Sequence, residues 1–226
     1  MTEPDLSIGE LYPSDDIVAQ WMFSLSAVVD DLTVLLRELR RANDEDIRMM
    51  LLFQRLLIVR LYEARKLVAA IDGRRELREF LDPKALPGLT YLRSVYLPIG
   101  VSVVEELYAN VRHHGVHYMW PGSDELRDTL KGARGLPARL RVKNAPTEVD
   151  ADIRWVQVVA GMTLFGEFSA SQWKPRLKER ADLSARIVQA WTILHMELLM
   201  IYVHERGIAL ERFVEVDAPS QEAPEG

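Results

Sequence analysis

The sequence predicts an all-α protein, a helical bundle of about five long helices with a short irregular insertion near residues 131–146. Two observations carry this. Apolar residues recur at three- and four-residue spacing over most of the chain, and the breaks between these runs carry helix start and stop signals. A hydrophobic content of 48% is that of an ordinary globular chain, and no internal repeat or glycine-rich phosphate loop interrupts the pattern.

Residues 1–13, with Pro4, Pro13 and several acids, have little periodicity and read as a flexible arm. Ser14, followed by Asp15 and Asp16, is an N-cap signal. Ile17, Trp21, Leu25, Val28, Leu32, Leu35, Leu36 and Leu39 then give a long first helix. Asn43 before three acids repeats the start signal, and the apolar run from Ile47 to Ile71 stops at Gly73. So short a connection makes the two helices an antiparallel pair. Between Arg74 and Gly88 the charges and Pro83 and Pro87 predict a short helix and a loop, with a further turn or two at 91–96. Pro98 suits the first turn of a third long helix, whose stripe is Val101, Val104, Leu107, Tyr108 and Val111.

Beyond Pro121-Gly122, Ser123 starts a short helix. The run 131–143 then carries Lys131, Arg134, Arg139, Arg141 and Lys143 without an acid, and its alternation at 138–142 suits a short strand or hairpin. Thr147 with Asp150 resembles a capping box opening a fourth long helix to about residue 168. After Pro175 a last helix runs from about 177 to 205 and stops at Gly207. Residues 14–207 thus read as one helical domain, and 208–226 as a disordered acidic tail. Trp21, Trp155 and Trp191 fall in apolar stripes as core anchors, while Trp120, beside Pro121 and the histidines, could stack on a base.

With no cysteine the chain has neither disulfides nor thiolate chemistry. The acidic N-terminal stretch lacks signal-peptide features, and the apolar runs at 49–59 and 193–203 are shorter than a bilayer crossing, so a cytoplasmic location without membrane contact is expected. A net charge of −6 argues against non-specific coating of long nucleic acid but leaves a local RNA contact open through the basic run.

The chemistry concentrates in residues 110–118, which hold three of the five histidines. Arg112, His113 and His117 would supply a phosphate-binding guanidinium and proton-transfer groups at a helix end, with Glu105 two turns and Tyr108 one turn earlier as supporting residues. Residues five apart on a regular helix are about 140° apart, so Arg112 and His117 would flank a cleft rather than share a stripe, whereas His113 and His117 share a face. Two other readings stay open. The group can be a solvated helix end, or His113 and His117 can be metal ligands with Glu105, Glu106 or Asp124 as a third. His195 and His204 read as core or helix-end histidines, and Glu63 with Arg60 and Arg65 as an ion-pair face.

The spacing Arg112-x4-His117, with a polar residue after the arginine and a late helix as its setting, resembles the R-x4–6-H signature of the HEPN superfamily. The helical plan of residues 14–206 is similar too, while the basic insertion and the extra length depart from it. The resemblance implies a metal-independent endoribonuclease without a cofactor. Its site would form between two protomers from Arg112, His113 and His117, in a toxin–antitoxin or antiviral setting with an antitoxin or other regulatory protein as partner. It equally implies that some members keep the fold as non-catalytic dimerisation or binding modules. A homodimer is expected because a lone Arg–His pair offers too few groups for two proton transfers, with the helix of Val101, Val104 and Tyr108 as the contact.

Overall fold

The computed structural model describes residues 6–42, 47–111, 140–144, 149–153 and 170–209. In chain order these form α1 (Ile8–Leu11), α2 (Ile17–Arg41), α3 (Ile47–Gly73), α4 (Arg75–Leu81), a 3-10 turn (Asp82–Lys84), α5 (Pro87–Tyr96), α6 (Val103–Val111), strands β1 (Leu140–Asn144) and β2 (Val149–Ile153), and α7 (Ala170–Glu205). The fold is all-α, with one antiparallel ribbon as its only strands among the described residues.

Of the expected stripe of α2, Trp21, Leu25, Leu32, Leu36 and Leu39 are buried, joined by Met22 and Val29, while Ile17, Val28 and Leu35 are partly buried against the core. The neighbours of α2 run antiparallel to it. Trp21 Nε1 donates to the Leu67 carbonyl of α3 at 3.1 Å and Arg60 pairs with Asp31, so the α2–α3 contacts fall in one helix as they rise in the other. The same holds for α7, where Ser26 meets His195 and Asp16 pairs with Arg206. Deep between the helices, Gln54 Nε2 of α3 donates to Ser184 Oγ of α7 at 3.1 Å, and Tyr96 OH donates to the Leu61 carbonyl at 3.0 Å while accepting from Trp191 Nε1 at 2.9 Å.

Five local expectations are corrected. The cap of α2 is Asp16 and not Ser14: the Asp16 carboxylate accepts from the Val18 and Ala19 amides at 2.7 and 3.0 Å, while the Ser14 carbonyl accepts from Gln20 Nε2 at 2.6 Å. Residues 6–13, expected within a loose arm, dock on the bundle. Ser7 and Glu10 make a capping box for α1, Leu11 is buried, and Tyr12 stacks on Tyr202, whose hydroxyl donates to the Leu11 carbonyl at 2.7 Å. Pro98 is not in α6. It lies in the preceding turn, and Ser102 starts the helix, its hydroxyl accepting from the Glu105 amide and its carbonyl from the Glu106 amide. Val101 therefore leaves the stripe and is 78% exposed.

The fourth correction concerns Thr147 and Asp150, which do not open a helix here. Residues 149–153 pair with 140–144, because Val149, Ala151 and Ile153 alternate with acids as Leu140 and Val142 alternate with bases. The register sets Arg141 opposite Asp152 and Lys143 opposite Asp150. Lastly, α7 begins at Ala170 and runs through Pro175, seven residues earlier than expected. It ends as predicted: Gly207 has a φ of 66°, its amide donates to the His204 carbonyl, and the Ile208 amide donates to that of Val203. Both bonds complete a Schellman stop, which glycine accepts without strain.

α2 and residues 178–205 of α7 are long and apolar enough to cross a membrane by length and composition.

Candidate functional site at the end of α6

α6 is held on α3 by a four-residue clamp. Arg65 Nη1 donates to Glu105 Oε1 at 3.0 Å, and the Gly100 amide donates to Glu105 Oε2, so both carboxylate oxygens are engaged. The Arg65 guanidinium lies 3.8 Å from the centre of the Tyr62 ring, which itself stacks on Tyr108 at 3.7 Å and 10°. Arg65 and Tyr62 are three apart on α3, as Glu105 and Tyr108 are on α6, so each helix presents an adjacent aromatic and charged pair on one face. The matched spacing stands in the sequence, but nothing in it says that the two pairs meet.

The clamp holds α6, whose last residue, Val111, directly precedes the motif in sequence. Arg112, His113 and His117 lie outside the described residues, as do Lys131, Arg134, Arg139, Trp120, Asp124 and Trp155. Of the basic run, Arg141 and Lys143 lie on β1, across the ribbon from acids. Glu105, expected beside Arg112, has Arg65 as its ion-pair partner. Val104 and Leu107 are buried and Tyr108 is committed to Tyr62, so the stripe expected as a dimer contact faces the bundle interior. Glu63 pairs with Lys66 on an exposed face rather than reaching a cleft.

No family model, curated protein or solved structure matches the chain. The site is therefore read from its own residues. Among the described residues no three His, Asp or Glu side chains are grouped to hold a metal ion. An open groove of about 420 Å³ is lined by Arg40, Glu179, Asp182, Ala185, Arg186 and Gln189, with charges of both signs and no residue of α6.

The two remaining histidines take structural places. His204 is exposed near the end of α7. His195 is half-buried against α2, its Nε2 2.8 Å from Ser26 Oγ, which also meets Tyr12 OH at 3.3 Å and donates to the Met22 carbonyl. Burial pushes the His195 imidazole below its ordinary value. At Asp16 burial works upward, yet the Ala19 amide, the Arg206 guanidinium and the Val18 amide together hold the carboxyl below its own.

Both shifts act in the same direction on stability. The unfolded chain binds a proton at His195 before the folded chain does, so stability falls as pH drops below about 6.5. Asp16 adds a second loss at lower pH, where its carboxylate must be protonated. Chemical denaturation at several pH values between 7.5 and 5 is expected to show a falling midpoint, and His195→Gln to flatten the upper part of that slope. An unchanged slope in His195→Gln would remove the imidazole from the account.

Proposed function

We propose that the chain is a metal-independent endoribonuclease of the HEPN type, with Arg112, His113 and His117 as its catalytic groups and RNA as its substrate. The observation that supports this reading is the clamp of Arg65, Tyr62, Glu105 and Tyr108, which holds on α3 the helix that directly precedes the motif in sequence. A histidine titrating near neutrality takes the proton of a ribose 2′-OH or gives one to the leaving 5′-oxygen, and an arginine holds the phosphate charge. The setting we propose is cytoplasmic, in toxin–antitoxin or antiviral control, with an antitoxin or regulatory protein as partner. Purified protein at neutral pH with chelator present is expected to cleave single-stranded RNA, to leave a 2′,3′-cyclic phosphate and to spare DNA, which lacks the 2′-OH.

The basic run is the proposed RNA contact. Reversing Arg139 and Arg141 to Glu removes positive charge from this run and is expected to lower RNA affinity and its salt dependence without altering the single-turnover rate at saturating enzyme. A filter-binding titration at several salt concentrations checks this. The second reading, a non-catalytic helical dimerisation module, is favoured by a different feature, an exposed apolar face on α2 and α7.

A further inference from the structure

We draw no further inference here: the strongest candidate, the exposed apolar face formed by Phe23 and Val34 of α2 with Ile193, Met196 and Met200 of α7, is an unpartnered helix face, and nothing in the structure shows what covers it.

Discussion

His117→Ala is expected to slow RNA cleavage by about two to four orders of magnitude, the usual contribution of a positioned general acid or base. Arg112→Ala should fall comparably, because the guanidinium stabilises the charge that develops on phosphate during attack by the 2′-oxygen. Two groups are needed for two proton transfers, one at the attacking and one at the departing oxygen, and His113 is the second imidazole of the motif. His113→Ala should therefore slow the reaction and remove one limb of its pH–rate profile. None of these substitutions touches a core contact described for the bundle, so melting temperatures should stay near that of the wild type. The measurement is single-turnover cleavage of a labelled RNA, with the cyclic phosphate terminus scored directly. Equal, slow cleavage by wild type and His117→Ala would mark the activity as contamination, and the dimerisation-module reading would take its place. Substituting Glu105 separates scaffold from chemistry. Glu105→Gln releases Arg65 and loosens α6, so any rate loss it causes should come with a lowered melting temperature, unlike that of His117→Ala.

How far the sequence could be read depended on whether a signal was local. The α2 stripe, the antiparallel α2–α3 pair and the Gly207 stop rest on periodicity and on one residue's backbone freedom, and these were legible. Where two local signals compete, tertiary context decides between them. Ser14 and Asp16 both suit an N-cap, and only the position of Ile17 against the core decides for Asp16. Pro98 offered a helix start that Ser102 supplies instead. Thr147 and Asp150 matched a capping box, but the alternation of 149–153 wins once 140–144 is there to pair with it.

Contacts between distant segments were not legible at all. Nothing near Leu11 and Tyr12 announces that Tyr202 will cover them. The candidate site divides in the same way. Of the α3 side chains that anchor the helix before residues 112–118, Arg65 read as part of an ion-pair face and Tyr62 carried no signal of its own. A long-range pair is invisible until both helices are placed, because its energy depends on register and not on composition.

The largest loss of stability is expected from Trp191→Ala. Trp191 is 1% exposed and meets the Tyr96 ring at 5.8 Å and 66°, in an edge-on pair that joins α7 to α5. Its indole N–H donates to the Tyr96 hydroxyl, which passes a hydrogen bond on to the Leu61 carbonyl of α3. Three helices thus meet at one indole. Truncation removes the ring from an interior that cannot collapse around long helices, at a cost of about 3–5 kcal/mol. For a chain of this length each kcal/mol lowers the melting temperature by about 2–4 °C, so a fall of roughly 6–20 °C is expected. Trp191→Phe keeps much of the packing and removes the donor, which should cost about 1–3 kcal/mol including the misfit. Tyr96→Phe isolates the relay: it leaves the Trp191 N–H and the Leu61 carbonyl in a buried place without their partner, and should cost about as much as Trp191→Phe. Burial already pushes the Tyr96 hydroxyl well above the ordinary phenol value, so it stays a neutral donor across the whole folded pH range. Thermal and urea denaturation followed by circular dichroism give all three costs. A Trp191→Ala loss below about 1 kcal/mol would mean that the three helices are not joined through this ring.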